Sequence, residues 1–492
     1  MHALPRPTRK PARNKILSAT ALCAATVLGV AGLTAGSASA AQPSQPAQPT
    51  ADYNGDGYAD LAVGVPGATV GGKAKAGYVN VVWGGTSGLG KHGSTTVSQA
   101  TAGVPGTVEA GDGFGTAVAS DDMNGDGYSD LVVGAPDEDN DAGLSAGTVA
   151  VVWGAKSGFK GGFTAANGAY SDGSYGALLA TGDFDEDGDK DIALNSHFDE
   201  TSAVEMRPGP FKAGSPAKLS RVEGWHFAGP VALAAGDFDG DGGDDLAFSY
   251  DGTEVSGTTV KSRDAATGEW NETWSTGDST ATALAAGDFD GDDTTDLAIG
   301  NVQANPESES THCEDRLGGA ILTLYGKKGT TLGGPASCTT QSGEQVGGSP
   351  EAGDDFGSSL TAVDTDQDGR DELIAGAEAE AVGSAKNAGS YWFLTATGTG
   401  TGLTGPAISQ NSAGVAGTAE AGDRFGAAVT LGDYNGDGLP DVAVGAPGED
   451  AKSGGVWYAR TPTDGPSPAV TSVTPGKLGL SGASGYGSVL SR

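Results

Sequence analysis

The 492-residue chain carries 63 acidic and 27 basic side chains, a formal net charge of −36, with 85 glycines and 23 prolines. A balance this acidic excludes nucleic acid and anionic lipid as electrostatic partners and calls for counter-cations. So much Gly and Pro, with no persuasive 3.6-residue periodicity, argues for short strands and tight turns.

The start of the chain reads as a secretory signal over residues 1–40. Arg6, Arg9, Lys10, Arg13 and Lys15 precede an apolar stretch at 16–33, and Ala38-Ser39-Ala40 has the small-residue form of a cleavage site. An uncleaved membrane anchor is the alternative. Cys23 follows Leu22, where lipoprotein processing prefers a small residue, which argues against lipidation. Residues 41–51 (AQPSQPAQPTA) read as a flexible linker. No later apolar run reaches the ~18 residues of a spanning helix. The mature product is expected to be a secreted monomer, not inserted in a membrane.

From residue 52 a pattern recurs seven times: Asp-x-Asp/Asn-x-Asp, with a Gly-x-x-Asp close in most copies. The copies begin at Asp52, Asp122, Asp183, Asp237, Asp288, Asp364 and Asp433, 51 to 76 residues apart. Alternate residues of a tight loop project toward one point, and this density of oxygens suits a hard cation. The first loop offers Asp52, Asn54, Asp56 and Asp60, with the Tyr58 carbonyl. The second offers Asp122, Asn124, Asp126 and Asp130, with Tyr128; the third Asp183, Asp185, Asp187 and Asp191, with Asp189. The fourth offers Asp237, Asp239, Asp241 and Asp245, with Gly243. The fifth offers Asp288, Asp290, Asp292 and Asp296, with Thr294, but has Asp293 where Gly is expected. The sixth offers Asp364, Asp366, Asp368 and Glu372, with Arg370; the seventh Asp433, Asn435, Asp437 and Asp441, with Leu439. An EF-hand would close at the twelfth position between helices, whereas these loops close at the ninth and run into a strand. Zinc would want His or Cys, and magnesium stricter octahedral geometry. The reading is Ca2+, up to seven ions, mainly structural.

Each loop leads into a strand-length apolar run such as Leu131-Val132-Val133-Gly134, and a second run follows, such as Thr148-Val149-Ala150-Val151-Val152-Trp153. A third, polar strand comes next, as at 94–99, and an aromatic-Gly strand stands before the loop, as at Phe114-Gly115-Thr116-Ala117-Val118. Four strands in each of seven repeats make an all-β, seven-bladed β-propeller of four-stranded antiparallel blades over 52–492. A linear β-solenoid is the competitor. The first loop has no aromatic-Gly strand before it, and the chain ends on Gly485-Tyr486-Gly487-Ser488-Val489-Leu490 with no loop after it. The first blade is therefore expected to be completed by the C-terminal strand, closing the ring. Trp83, Trp153, Tyr325 and Trp392 are read as recurring at similar strand positions, in the core between blades.

The aromatic-Gly strands and the turns Gly134-Ala135-Pro136 and Gly445-Ala446-Pro447 resemble the FG-GAP, or VCBS-type, repeat proteins, among them the N-terminal propellers of integrin α subunits. The resemblance is specific in blades one, two, six and seven and looser in three to five. It implies a propeller with calcium-binding hairpin loops.

Cys313 and Cys338 form an even pair in an exported chain and are read as a disulfide flanking a strand at 319–325. His92, His197, His226 and His312 fall in no catalytic signature. Two atypical stretches, 195–229 and 263–274, are the better places for a further site, and Asn271-Glu272-Thr273 is a lone glycosylation sequon. The function expected is an extracellular calcium-binding scaffold for adhesion to a protein or glycan ligand. The alternative is a hydrolase or lyase acting on polysaccharide or lipid.

Overall fold

Strands form where the sequence offers four to eight apolar or β-branched residues between glycine-rich turns, and they assemble into seven antiparallel blades, beside a small pair of Ser279–Thr280 with Gln303–Ala304. The computed structural model describes residues 51–212, 218–253, 255–277, 279–300, 303–304, 313, 317–329, 332–333, 337–342, 346–396, 402–461, 470–480 and 484–491. The proposed signal at 1–40, residues 41–50 of the linker and His312 lie outside the described residues.

From its innermost strand outward, blade 2 runs Ala117–Asp121, Asp130–Ala135, Thr148–Ala155 and Gly158–Asn167. Blade 3 runs Leu179–Gly182, Asp191–Phe198, Thr201–Arg207 and Ser220–His226. Blade 4 runs Ala228–Gly236, Asp245–Gly252, Gly257–Arg263 and Trp270–Thr276. Blade 5 runs Ala283–Gly287, Asp296–Gly300, Ile321–Leu324 and Ser337–Thr339. Blade 6 runs Ser359–Val363, Glu372–Ala377 and Ser390–Ala396, with the short outer pieces Leu403–Thr404 and Ala407–Ile408. Blade 7 runs Val429–Gly432, Asp441–Ala446, Gly455–Ala459 and Thr471–Val473.

Blade 1 takes Leu61–Val65, Tyr78–Val82 and Ser94–Val97 from the start of the fold and Val489–Leu490 from the end of the chain. Gly64 faces Val489 and Val63 faces Leu490, the register in which Gly134 faces Ala117 and Val133 faces Val118 in blade 2. The C-terminal strand thus completes the first blade, as the missing half-repeat predicts.

The core lies between blades. Seven buried clusters each join residues of two neighbouring blades, and the cluster of Leu61, Tyr78, Tyr434, Val456 and Tyr486 joins blade 7 to blade 1. That last junction makes the array a ring and excludes an open solenoid. The second strand of blades 1, 2, 5, 6 and 7 is covered on both faces, and for this reason it reads as an unbroken apolar run. Residues in or immediately ahead of the inner strands of all seven blades, Thr116, Leu179, Leu233 and Ser488 among them, line a central cavity of about 210 Å³.

The aromatic-Gly pair serves a different purpose from the one its sequence suggests. The inner strands begin three or four residues later, at Ala117 and Val429 rather than Phe114 and Phe425. Gly115 instead donates its N–H to the Gly134 carbonyl at 3.0 Å, and its own carbonyl abuts Gly64 of the preceding blade. A Cβ on Gly64 would lie 2.2 Å from that oxygen, and one on Gly445 would lie 1.9 Å from the Gly487 oxygen. The glycines therefore mark backbone-to-backbone contact between blades.

Trp83, Trp153 and Tyr325 do share a position, one residue beyond the partner of the first apolar residue after each loop. Trp392 does not. It faces Ala375, three positions earlier on its strand, and its Nε1 donates to the Gly347 carbonyl at 2.7 Å. Trp457 is its counterpart in blade 7, donating to Ala416. Cys313 and Cys338 are disulfide-bonded with Cα atoms 5.6 Å apart, which ties the outer strand of blade 5 to the segment ahead of Ile321–Leu324. Among the described residues no helix is long and apolar enough to cross a membrane.

Candidate metal centres

Six of the acidic loops connect the innermost strand of a blade to its second strand, and loop 1 leads into the second strand of blade 1, so all seven share one end of the ring. The backbone of each loop is wound around its first aspartate. In loop 1, Asp52 Oδ1 accepts from Gly55 N at 2.7 Å and Oδ2 from Gly57 N at 2.8 Å. Asp288, Asp364 and Asp433 repeat this arrangement, and Asp122, Asp183 and Asp237 keep the bonds from the fifth and sixth residues. The winding demands a left-handed residue at the fourth position. Gly serves in most loops, while Glu186 and Gln367 adopt φ of 58° and 63° there. Asp293 adopts φ 64° at the sixth position, which Asp tolerates better than most residues.

The loops bring carboxylates together. Asp183, Asp185 and Asp191 each place an oxygen within 4.8 Å of the others, as do Asp288, Asp290 and Asp296, and Asp364, Asp366 and Glu372. In loop 4 the group is Asp237, Asp239 and Asp241. Loops 1, 2 and 7 carry Asn at the third position, and Asn124 and Asn435 reach across to Asp130 and Asp441 at 2.8 and 2.7 Å. The fifth-position acids Asp56, Asp126, Asp187, Asp241, Asp292, Asp368 and Asp437 cap the N–H of the seventh residue: Tyr58, Tyr128, Asp189, Gly243, Thr294, Arg370 and Leu439.

The ninth-position acid has a role that the sequence did not reveal. Asp60 Oδ2 accepts from Tyr53 N and Oδ1 from Gly84 N, at 3.1 and 2.9 Å, tying the loop to the end of the blade's third strand. Asp191 and Asp296 do the same through Gly209 and Gly326, and Asp245 accepts from Phe238 N. Each carboxylate keeps lone pairs for a further ligand. Burial, with a smaller push from the neighbouring loop carboxylates, raises Asp60 and Asp296 to about 8 and Asp130, Asp191 and Asp245 to about 7. Asp441 is raised to about 6 by burial, and burial raises Glu372 as well.

Two observations test whether the donor set suits a cation. The Oδ1 atoms of Asp185 and Asp290 are shut off from solvent and accept no hydrogen bond, although a buried carboxylate oxygen normally has a partner. Both belong to the convergent groups. Lone pairs aimed at a common point, all of them oxygen and mostly anionic, fit a hard divalent ion. Basic side chains approach from outside: Lys160 Nζ is 2.9 Å from Asp126 Oδ2, and Arg263 Nη1 is 3.7 Å from Asp185 Oδ2.

A family model described as the FG-GAP repeat matches residues 49–82, 114–162, 280–310, 356–394 and 425–458, which extends the specific match to blade 5. Phosphatidylinositol-glycan-specific phospholipase D of Bos taurus is 38% identical over 109 residues, 22% of this chain and 13% of that protein. Integrin alpha-X of Mus musculus is 37% identical over 114 residues, 22% of this chain and 9% of its own length. Integrin alpha-PS2 of Drosophila melanogaster is 30% identical over 183 residues, 36% and 11% respectively. The chain thus spans only a small part of these relatives. Among solved structures, a periplasmic gluconolactonase of Pseudomonas aeruginosa superposes with a TM-score of 0.44 at 10% identity, over 87% of this chain and 98% of that one. Repeat matches, loop geometry and ring closure agree: the chain carries FG-GAP repeats, in blades 1, 2, 5, 6 and 7 of a seven-bladed β-propeller.

Proposed function

We propose that this propeller is an extracellular binding scaffold whose acidic loops hold calcium, up to seven ions, chiefly as structural ties. The observation that carries the reading is the convergence of carboxylate oxygens within 4.8 Å in loops 3 to 6, with the buried Oδ1 atoms of Asp185 and Asp290 lacking any other partner. Bound calcium would neutralise carboxylates that otherwise repel one another. Asp52, Asp122, Asp183, Asp237, Asp288, Asp364 and Asp433 would hold it with the third-, fifth- and ninth-position oxygens. In loops 1, 2 and 7 a turn of the Asn amide would present its carbonyl oxygen to the ion. The secretory leader read from 1–40 supports an oxidising, calcium-rich setting, as does the disulfide.

Adhesion is favoured by the matches to integrin alpha subunits. The second reading, a hydrolase, draws on the match to phosphatidylinositol-glycan-specific phospholipase D. Two of the described histidines give it little support: His197 and His226 bond the hydroxyls of Ser202 and Thr201. The ligand would meet loops at one end of the ring, where several blades converge.

Calcium uptake by the chelated protein, followed by thermal unfolding with and without chelator, tests the structural claim. A site of ~0.1 mM affinity in ~1 mM calcium contributes about 1.4 kcal/mol, so a full set contributes about 10 kcal/mol. For a fold of this length that is roughly 10 °C in midpoint. No uptake, or an unchanged midpoint, defeats the reading. Binding to protein and glycan arrays with and without calcium tests the scaffold role.

A further inference from the structure

The loops are bonded to one another around the ring through the residues that would ligate the ion. The eighth residue of one loop donates its N–H to the carbonyl of the first aspartate of the preceding loop. Ala59 bonds Asp433 at 3.0 Å, Ser129 bonds Asp52 at 3.0 Å, and Asp244 bonds Asp183 at 2.9 Å. Thr295 bonds Asp237 at 3.3 Å, and Asp371 bonds Asp288 at 2.7 Å. Two of these links are reciprocal, because Asp183 N donates to Asp244 Oδ2 at 2.8 Å and Asp288 N to Asp371 Oδ2 at 2.9 Å.

Side chains reinforce the joints. The Tyr58 ring covers Gly436 of loop 7, and the Tyr128 ring covers Gly55 of loop 1, where a Cβ would come within 2.4 and 2.6 Å. Arg370 lies over Gly291 in the same way. Between loops 3 and 4 the sizes are exchanged, with Glu186 filling the space over Gly243.

Two of the seven joints lack the link. The eighth residue of loop 7 is Pro440, which has no N–H to give, and the joint to loop 6 rests on Gln367 Nε2 to the Gly438 carbonyl at 2.9 Å. At the joint between loops 2 and 3, Lys190 makes no such bond to Asp122 among the described residues. Phe211 N to the Met123 carbonyl, at 3.2 Å, joins those blades outside the ligand residues. By the links through the first aspartate, the seven loops therefore fall into two groups, 7–1–2 and 3–4–5–6.

Resting on the calcium reading, we propose that cation binding is cooperative within each group and nearly independent between them. The eighth N–H immediately precedes the closing acid, and its acceptor belongs to the first ligand of the neighbouring loop. An ion that orders one loop fixes the carbonyl against which the next loop must order, so the second ion meets a smaller ordering cost. The groups differ in the carriers of that coupling: aromatic lids in 7–1–2, reciprocal carboxylate caps in 3–4–5–6.

Calcium titration of the chelated full chain by calorimetry tests this. Wild-type protein should bind in two cooperative phases. Ser129→Pro places in loop 2 the residue that loop 7 already carries at the same position, so the backbone shape is compatible. It should keep the total number of ions, weaken loop 2 about fivefold or more, and remove cooperativity from one phase only. Ser129→Ala keeps the N–H and should titrate as wild type. If Ser129→Pro does not fold, Asp237→Asn is the second test. It should weaken uptake at loops 3 and 5 as well as its own, while the 7–1–2 phase stays in place. Ser129→Pro indistinguishable from Ser129→Ala, or wild-type uptake by equal and independent sites, overturns the coupling and leaves the calcium reading standing. No uptake by wild type defeats both.

Discussion

Away from the metal loops, three glutamates, Glu138 and Glu380 buried and Glu449 half-buried, make stability fall as pH rises. Glu138 is 5% exposed and accepts from Gln99 Nε2, while Asp112 and Glu109 face it from the adjoining turn. Gln341 with Glu380 and Gln410 with Glu449 repeat the pair at the same separation of 39 residues, each at 2.7 Å. Burial, outweighing the amide bond that opposes it, pushes Glu138 and Glu380 up to about 7 and raises Glu449. A carboxyl whose folded value lies above its unfolded value holds its proton more tightly in the folded state. Its stabilising contribution is present in full below the unfolded value of 4.5 and is lost as pH rises through about 7. The gap corresponds to about 1–3 kcal/mol for Glu138 and for Glu380. Glu138→Gln has the same shape, can still accept from Gln99 and never ionises. Urea unfolding in saturating calcium should find it more stable than wild type by that amount at about pH 8.5 and nearly equal at about pH 5. Equal pH slopes for the two proteins, or a loss in the variant at every pH, would refute the assignment.

Gly445→Ala should destabilise by about 3 kcal/mol or more in urea, because its Cβ would stand 1.9 Å from backbone of the closing strand. Ser249→Ala at the matching position of blade 4 should be nearly neutral or stabilising, since the hydroxyl it removes is buried without a partner. Tyr486→Phe removes the hydroxyl bonded to Asn80 Oδ1 at 2.8 Å across the ring closure and should cost about 1–2 kcal/mol in the same assay. Cys313→Ser with Cys338→Ser opens a link of separation 25 and should lower stability by up to about 3.5 kcal/mol, read as a shifted midpoint under non-reducing conditions.

Blade number, loop positions and C-terminal closure were legible because each rests on a short-range pattern repeated in register. Second strands read as continuous apolar runs because neighbouring blades cover both faces, and loop carboxylates recur at fixed offsets from them. The aromatic-Gly strand was misplaced by three or four residues because its residues make contacts between blades, which periodicity along one strand does not report. The closing acids were read only as ligands; their bonds to Gly84, Gly209 and Gly326 come from the end of the third strand, at no fixed spacing. The Gln–Glu pairs could have been found, since 39 residues separate Gln from Glu in all three. The eighth-residue links between loops join backbone atoms, so Pro440 is their one trace in sequence.

Blades 3 and 4 show what the glycines are for. A blade with an aromatic-Gly pair is preceded by a blade with Gly at the fourth position after its closing acid. Tyr486-Gly487 meets Gly445, Phe114-Gly115 meets Gly64, Tyr175-Gly176 meets Gly134, Phe356-Gly357 meets Gly300, and Phe425-Gly426 meets Gly376. Blades 4 and 5 lack the pair, and the matching residues ahead of them are Asn195 and Ser249. The two features vanish together, as a contact between two backbones requires. Where the contact is missing, other interactions hold the ring. The second strands lengthen to eight residues, and Phe227 alone joins the outer strand of blade 3 to the inner strand of blade 4. Trp225 stacks on Tyr250 with centroids 5.0 Å apart and meets Phe248 edge-on, while Lys261 pairs with Glu223 across the same interface. Side-chain packing tolerates substitution better than backbone contact does, so this sector can diverge in sequence while the ring stays closed. It is also the sector without a repeat match, from 163 to 279.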